Sequence, residues 1–445
     1  MALAPGVNAP GRPAAAILAG LGGLTVLGYV AWGGLGAAPR EAYRVLFSGL
    51  FALYGLACYL VLRRGARRPP PALLVLILGV AALSRGILVF TMPYLSDDIY
   101  RYIWDGRVQA AGLSPYAYPP AAPEVARLHP PGDPIWPGIN RKPAITIYPP
   151  GAELFYAAIY RLRPDSLTAT KAVLVAVDLL SCGVLLALLG ALGLPRTRVL
   201  IYAWAPLPIV EFSSSGHIEA LAVLLILLAL LAGVGAGRRP GADSAPPRAG
   251  WALAALAALA AAALVQLVPL LLLAGWVRRF GGRLIAWAGG VFTLGYLGFV
   301  VANGGTLPIF LLTYLRDEYI NAPLYALLGQ GLAPRLGVPD LVVRAALLAG
   351  LGLIALGIAA WRDWSPTAFI GKSFLLTGAY LLLATNAHPW YATGLLLFVP
   401  LFLPPGGLPL GPLPAGGAGR RLPALVVAGA WLYTGLTIWG GYPGS

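Results

Sequence analysis

The segment "WALAALAALAAAALVQLVPLLLLAGW", residues 251–276, carries no charged side chain over its whole length. Such a run is long enough to cross the hydrocarbon core of a bilayer, which takes about 20 residues of α-helix. Gln266 and Pro269 interrupt its second half, and proline removes a helical hydrogen bond. The segment therefore predicts a membrane protein whose chain bends at this point.

The arginines on either side of this segment indicate the form of the bend. Arg248 precedes it, and Arg278, Arg279 and Arg283 follow it. Because positively charged loops are retained in the cytoplasm, a single crossing would place one of these clusters outside. We therefore predict two short helices that form a hairpin and return to the cytoplasm. The alternative is one kinked helix that violates the charge rule.

The composition of the 445 residues extends this interpretation to the whole chain. Hydrophobic residues make up 59%, charged residues only 11%, and the mean hydropathy is +0.78. Several apolar windows lack charge and do not alternate with polar residues, which favours helices over the strands of a membrane barrel. We predict a single all-α integral membrane domain over residues 1–445. Cys58 and Cys182 lie in apolar runs, so a disulfide framework is not expected.

Arginine placement predicts the topology. Besides the hairpin, the apolar windows predict helices at about 14–34, 43–62, 71–92, 168–193, 197–213, 217–236, 284–302, 342–361, 366–385, 390–404 and 422–440. Arginine clusters follow the second, fourth and sixth windows, which predicts about thirteen transmembrane helices with a cytoplasmic N-terminus. The net charge of +15 then reflects cytoplasmic loops and not a nucleic-acid partner. Residues 93–167 and 303–341 become large extracytoplasmic loops.

The first outer loop contains the densest polar stretch of the chain, "LSDDIYRYIWDGRVQAAGLSPYAYPP", residues 95–120. Helical periodicity predicts an amphipathic helix over 97–111, and the prolines at 149–150 start a second helix over 148–162. The first helix would carry four polar side chains on one face at i, i+3, i+4 and i+7, namely Asp98, Arg101, Tyr102 and Asp105. The two interfacial helices would roof a pocket on the membrane surface.

Two interpretations of the adjacent acids Asp97 and Asp98 stay open from spacing alone. One acid could cap the helix, where the helix dipole also favours negative charge. Alternatively, one carboxylate acts as a general base beside cationic and aromatic partners. Capping accounts for one acid but not for the charged and aromatic residues that follow it.

Further polar groups recur at predicted outward-facing helix ends. They are Glu211, His217 and Glu219 in "EFSSSGHIEA", Asn386 and His388 in "TNAHPWY", and the segment "LRDEYINAPLY" at 315–325. Each histidine alone could be interfacial without a role, but their shared side predicts a common site. None of the spacings matches a metal motif such as H-E-x-x-H, so no metal site is predicted, although a role for a divalent metal stays open. Arg85 and Asp178 lie within predicted spans and are expected to pair.

The reaction is constrained by what the sequence lacks. Neither a G-x-G-x-x-G nor a G-x-x-x-x-G-K-[ST] motif is present, and no soluble segment could form a nucleotide-binding sheet. A lipid-borne phosphate donor fits instead, with cationic groups holding the phosphate and rings packing on a sugar. The candidate phosphate ligands are Arg101, Arg107, Arg141, Lys142 and His388. The candidate sugar or acceptor ligands are Trp104, Asp105, Tyr148, Glu211, His217, Glu219, Asn386 and Trp390.

With these residues in view, the chain resembles membrane-embedded glycosyltransferases of the C superfamily (GT-C fold). It is most similar to the bacterial branch that includes polyprenyl-phosphomannose-dependent mannosyltransferases. The resemblance rests on Asp97–Asp98, "RYIWDGRVQAAGLSPY" (101–116), "TIYPP" (146–150), "GHIEAL" (216–221) and "HPWY" (388–391), in order over about 70–405. The pattern DD-x-x-RY-x-WDG followed by IYPP is its most specific part.

The resemblance implies an inverting glycosyltransferase of the bacterial plasma membrane with an extracytoplasmic site. It implies a polyprenyl-phosphate sugar, mannose above all, as donor, no further cofactor, and Asp98 as base with Asp97 as the alternative. The acceptor would be a glycolipid, lipoglycan or surface polymer, and the hairpin would open a path for the lipid tail. Related chains often carry a lysine just before the hairpin proline, where this chain has Gln266. The competing class is a transporter or flippase of lipid-linked sugars, and the oligomeric state stays open.

Overall fold

The fold is seen in a computed structural model that describes residues 12–64, 69–237, 248–304, 322–363, 365–403 and 424–440. All regular secondary structure of these ranges is helical. Within them, seven helices are long and apolar enough to cross a membrane, by length and composition. The predicted class of all-α membrane protein is therefore confirmed.

The helices follow in chain order. The first nine are α1 (Arg12–Leu35), α2 (Arg40–Arg64), α3 (Pro71–Val89), α4 (Asp98–Ala110), α5 (Pro150–Leu162), α6 (Leu167–Ala191), α7 (Leu200–Ala203), α8 (Pro206–Val210) and α9 (Glu219–Gly235). The others in the described ranges are α10 (Ala249–Val265), α11 (Leu272–Phe280), α12 (Gly282–Ala302), α13 (Pro323–Tyr325), α14 (Asp340–Ala360), α15 (Pro366–Leu383), α16 (Thr393–Leu396), α17 (Val399–Phe402) and α18 (Ala424–Leu436).

Two of the predicted spans are not continuous helices. The window 197–213 breaks into α7, α8 and a π-helical turn at Glu211–Ser215, because Pro206 and Pro208 each remove a backbone donor. The window 390–404 divides in the same way into short turns that include α16 and α17. The seven candidate spans of the described residues therefore do not confirm the predicted count of about thirteen transmembrane helices. Residues 305–321 of the second outer loop, including Asp317 and Glu318, lie outside the described residues.

The centre of the bundle is formed by α9, which packs against α6 and α10. The face of α10 toward the bundle is alanine-rich, and Ala252, Ala255 and Ala262 are fully buried. Small side chains let two helix backbones approach closely, which is how helices associate in an apolar solvent. At the periphery, α12 and α14 leave large leucines exposed, including Leu294 and Leu348.

The segment 251–276 reverses direction as predicted. At one end of the bundle, the Arg248 amide donates to the Ala236 carbonyl at 3.3 Å and the Arg279 guanidinium donates to the Gly233 carbonyl at 2.8 Å. At the other end, Gln266 Nε2 donates to Glu219 Oε1 at 3.2 Å. Both arginine clusters thus lie at the same end of α9, and the kinked single helix is wrong. The first arm, α10, has 17 residues and is longer than a half-helix.

The outer-loop helices form close to their predicted bounds. α4 covers Asp98–Ala110 and α5 covers Pro150–Leu162, with Pro149 and Pro150 at the start of α5. The two pack so closely that a Cβ on Gly106 would lie 2.7 Å from the Tyr156 carbonyl oxygen. α5 also abuts the hairpin turn, since a Cβ on Gly151 would lie 2.8 Å from the Leu264 carbonyl oxygen. The loop therefore sits directly over the hairpin.

An ion pair ties the helices beneath the loop together. Arg85 Nε of α3 lies 2.6 Å from Asp178 Oδ2 of α6, and both side chains are fully buried. The Tyr202 hydroxyl of α7 donates to Asp178 Oδ1 at 2.6 Å, and Arg85 Nη1 donates to the Ala203 carbonyl at 2.8 Å. The pairing predicted for these two residues is confirmed, and it joins three helices.

Candidate active site

The site is organised around Asp98, the first residue of α4. Asn140 Nδ2 lies 2.7 Å from Asp97 Oδ1 and 2.9 Å from Asp98 Oδ1. One amide group carries two hydrogens, so it can donate to both carboxylates at once. Asp97 occupies the cap position of α4 but its side chain accepts no hydrogen bond from the helix. Capping therefore does not account for the acid pair, whereas the Asn140 clamp orients both carboxylates.

His217 approaches the same carboxylate from the turn before α9. Its Nδ1 lies 2.9 Å from Glu211 Oε2 and its Nε2 lies 2.9 Å from Ser96 Oγ. The same Nε2 is 3.8 Å from Asp98 Oδ2, and the imidazole is fully buried. Gly216 makes this turn with φ +79°, a conformation that favours glycine. The broken helix at 197–213 thus ends by presenting a histidine to Asp98.

Trp390 joins the third segment to the site. Its ring stacks with His217 at a centroid distance of 3.8 Å and with His388 at 4.3 Å. All three side chains are buried. The predicted convergence of the turns near 217 and 388 with Asp98 is therefore present. Because two imidazoles already stack on the indole, Trp390 supports the histidines and is less suited to stack on a sugar.

Two of the predicted ligand side chains, Glu219 and Asn386, have unsatisfied polar atoms. Glu219 Oε2, and both the oxygen and the nitrogen of the Asn386 amide, are buried without a hydrogen-bond partner among the described residues. Glu219 is 6% exposed and Asn386 is 4% exposed. Buried polar atoms are normally paired, and sugar hydroxyls both donate and accept. These atoms are thus suited to bind a polyhydroxyl ligand.

Three tyrosine rings of the outer loop pack against one another on the loop side of the site. The rings of Tyr102 and Tyr156 stack at 4.5 Å, and Tyr148 meets Tyr102 edge-on at 5.1 Å. Tyr148 is half-buried, whereas the other two rings are buried. Among these rings Tyr148 therefore has the ring surface that a ligand could contact.

Charges around Asp98 shift the protonation of the site. Burial raises the pKa of Asp98 above its ordinary value and Asp97 adds to this effect, while His217, Asn140 and Arg141 oppose it. Burial lowers the pKa of His388 to about 3, with His217 and Arg141 contributing. His388 is therefore a neutral ring at physiological pH. It can donate one hydrogen bond to a phosphate but adds no positive charge.

Arg141 is the cation of the outer loop that acts on this cluster. It adopts a left-handed conformation with φ +45°, and its side chain is exposed. Non-glycine residues in this conformation concentrate at functional sites, where surrounding contacts impose it. The electrostatic influence of Arg141 reaches both Asp98 and His388. A phosphate bound between Asp98 and His388 would therefore be attracted by the positive charge of Arg141.

The structure does not bring three other predicted cations to Asp98. Arg101 Nε binds Asp105 at 2.8 Å, and Arg107 pairs with Asp133 and Asp165. Lys142 Nζ donates to the Ile139 carbonyl at 2.7 Å. These interactions hold the loop together, so the three side chains are committed to its structure.

Two further predicted ligands also belong to the loop interior. Trp104 is fully buried, with its ring 5.2 Å from that of Trp136. Asp105 is buried beside Glu153, whose carboxylate accepts hydrogen bonds from Gln109 and Thr146, each at 2.9 Å. Burial and the neighbouring Asp105 hold the pKa of Glu153 well above its ordinary value. This network supports α4 and α5 against each other.

Sequence reasoning missed three residues of the site. They are Asn140, which holds the acid pair, Ser96, which contacts His217, and the Gln266 amide, which links the hairpin turn to Glu219. Asn140 has no motif around it and lies more than forty positions from its partners along the chain. Ser96 directly precedes Asp97 in the chain. Within the described residues, no three His, Cys, Asp or Glu side chains form a group that could hold a metal ion.

The fold and this cluster define a class of protein. An all-helical membrane bundle carries acids, an amide and imidazoles at one end, beneath a loop with two helices. The sequence model "Alpha-(1->6)-mannopyranosyltransferase, N-terminal domain" of the MptA_B family matches residues 18–279. This match covers more than half of the chain, which therefore belongs to that family of mannosyltransferases.

The range matched by the family model contains only part of the candidate site. Asp98, His217 and Gln266 lie inside the matched range, whereas Asn386 and Trp390 lie beyond it. Comparisons with curated proteins and with solved structures gave no match.

Proposed function

We propose that the protein transfers a mannosyl group from a polyprenyl-phosphate donor to an acceptor hydroxyl, with Asp98 as general base. The observation that carries the proposal is the position of Asp98. It is held by Asn140 at 2.9 Å, faces His217 at 3.8 Å and keeps part of its side chain exposed. A carboxylate so held, with an accessible oxygen, can receive a proton from an incoming hydroxyl.

The transfer is a single displacement. Asp98 takes the proton of the acceptor hydroxyl, the acceptor oxygen forms a bond to the anomeric carbon, and the bond from that carbon to the phosphate oxygen breaks. The polyprenyl phosphate leaves with the electron pair. A retaining route would need a second carboxylate as nucleophile. Inversion together with the α-linked product named by the family requires a donor whose phosphate is β-linked.

The residues divide into roles around this reaction. Arg141 is the proposed electrostatic partner of the phosphate, and neutral His388 adds a hydrogen bond. The unsatisfied groups of Glu219 and Asn386 are proposed to bind sugar hydroxyls, and Tyr148 offers its ring face. Gln266, which replaces a lysine common in related chains, serves here to hold Glu219 and does not supply charge to the phosphate.

A lipid-linked donor is supported by the architecture. The described chain is all helical and its sequence lacks nucleotide-binding motifs, whereas a lipid tail can lie along the exposed helices. By the arginine rule we place this end of the bundle on the extracytoplasmic face of a bacterial plasma membrane, with the N-terminus inside. A glycolipid, lipoglycan or surface polymer supplies the acceptor hydroxyl. Nothing in the family comparison favours the transporter or flippase alternative.

Asp98→Asn tests the proposal directly. Purified protein is incubated with polyprenyl-phosphate mannose, matched polyprenyl-phosphate sugars and a mannoside acceptor, and donor consumption and product are measured. We expect transfer from the mannose donor by the wild type and a loss of about 10²–10⁴-fold in Asp98→Asn, with donor binding retained. Glu124→Gln, at an exposed acid of the same loop, is the matched control and should retain activity. Full turnover by Asp98→Asn would refute the assignment of the base.

A further inference from the structure

A second carboxylate fixes the state of His217. The Glu211 carboxylate contacts His217 Nδ1 at 2.9 Å, and the Glu211 carbonyl accepts the His217 backbone N–H at 2.9 Å. Glu211 is fully buried. An ionised Glu211 requires a proton on Nδ1, which fixes the tautomer and the ring orientation. The other ring nitrogen, Nε2, is thereby directed at Ser96 and Asp98.

Burial and the neighbouring acids oppose the ionisation of Asp98, and Asn140 and Arg141 only partly offset them. Asp97 and Glu219 lie close enough to act on its charge, and the side chain is only 19% exposed. Like charges and burial both favour the protonated acid. A protonated Asp98 could not accept the proton of an acceptor. The site therefore needs a positive charge next to this carboxylate.

His217 is placed to carry that charge. Burial lowers the pKa of His217, but Glu211, Glu219 and Asp98 raise it further than burial lowers it. The stack with Trp390 at 3.8 Å holds the ring in place from the side of the 388–391 turn. Among the described residues, Arg141, the neutral ring of His388 and the hydroxyls of Tyr102 and Tyr148 also act on this pair.

We propose that His217, held by Glu211, is a positioning residue that keeps Asp98 ionised and oriented for its role as base. This assigns His217 and Glu211 to the support of the carboxylate, in place of the sugar contacts expected from the sequence. The inference rests on the proposed function and adds how the base is sustained. In the free enzyme the imidazolium faces Asp98 Oδ2, and after proton transfer it faces a neutral acid.

The pH profile of His217→Asn tests this role. Loss of the positive charge should raise the pKa of Asp98, and activity requires the deprotonated acid. The acid limb of kcat/KM should therefore move to higher pH by about one to three units, with activity recovering as the pH rises. Glu211→Gln should move the limb in the same direction by less, because the histidine stays but its proton is held less firmly.

Two controls separate this role from a structural one. His129→Asn makes the same change in the outer loop, at a ring stacked on Trp136, and should leave the limb in place. Glu124→Gln removes an exposed carboxylate of the outer loop outside the site, so its limb should also stay. An unchanged limb in both His217→Asn and Glu211→Gln, with activity lowered equally at every pH, would overturn the inference.

Failure of the inference is distinguishable from failure of the proposed function. If the wild type does not transfer mannose from the polyprenyl-phosphate donor, the proposed function fails. If the wild type transfers and the limb does not move, only the role of His217 fails. Should His217→Asn not fold, judged by its thermal unfolding in detergent, Glu211→Gln and Glu124→Gln provide the comparison.

Discussion

At the scale of single residues, the structure distinguishes two adjacent acids of identical chemistry. Asp97 and Asp98 share the Asn140 amide, but only Asp98 also faces the buried imidazole of His217. Asp97 is exposed, so water screens and solvates its charge. The proposed base is therefore distinguished by neighbours from distant parts of the chain.

This difference predicts unequal effects of two matched substitutions. Asp97→Asn should lower kcat by less than about tenfold, whereas Asp98→Asn should lower it by about 10²–10⁴-fold. The reason is that Asn140 keeps its bond to Asp98 when Asp97 is neutral. Single-turnover rates of both variants with the same donor check this. The reverse order of the two rates would make Asp97 the base.

At the scale of elements, α4 has two separate tasks. Its first turn presents Asp98 to the site, and its later turns hold the loop through ion pairs. Arg107 is the centre of the second task, since it contacts the Leu128 carbonyl at 2.9 Å as well as Asp133 and Asp165. Burial raises the pKa of Asp133, but the hydrogen bonds and charge of Arg107, together with the backbone amides of Ile135 and Trp136, lower it overall. The positive charge of Arg107 thus serves to hold the loop together.

Arg107→Met should therefore destabilise the loop. Removing one member of a buried ion pair costs about 3–5 kcal/mol, because the remaining charge is left unpaired. We expect faster proteolytic cleavage within residues 111–149 and a lower unfolding temperature in detergent. Arg127→Met, at an exposed arginine of the same loop, is the matched control and should change neither. If Arg107→Met instead weakened the affinity for donor and left the stability of the loop unchanged, Arg107 would be assigned to phosphate binding.

At the scale of the whole molecule, the site is assembled from the outer loop, the turn before α9, the turn near 388 and the tip of the hairpin. Two polar interactions connect these parts. Gln266 joins the hairpin to Glu219 by a hydrogen bond, and the Arg85–Asp178 ion pair joins α3, α6 and α7. The Arg85–Asp178 ion pair is fully buried. Loss of this ion pair should lower the stability of the whole helix bundle.

We predict that Asp178→Asn destabilises the protein by about 3–5 kcal/mol, because Arg85 stays buried without its counter-charge. The double variant Arg85→Met, Asp178→Leu should recover most of this loss, since no charge is left buried. Asp340→Asn, which breaks a pair whose acid is 52% exposed, should cost less than about 1 kcal/mol. Thermal unfolding of the four proteins in one detergent measures the order. Equal unfolding temperatures for Asp178→Asn and Asp340→Asn would contradict the role of the pair.

The sequence by itself determined the membrane class, the reversal at Gln266 and the two loop helices, because each depends on local properties: charge-free length, arginine placement and helical periodicity. It also predicted the Arg85–Asp178 pair, since isolated charges in apolar helices need partners. The tertiary structure alone decided which polar residues meet Asp98. Arg101 and Arg107 are close to Asp98 in sequence but form ion pairs within the loop. Asn140 and His217 are distant from Asp98 in sequence but contact it in the structure. The physical reason is that a buried charge is satisfied by whichever partner packing brings within a few ångströms, and sequence separation does not encode that distance.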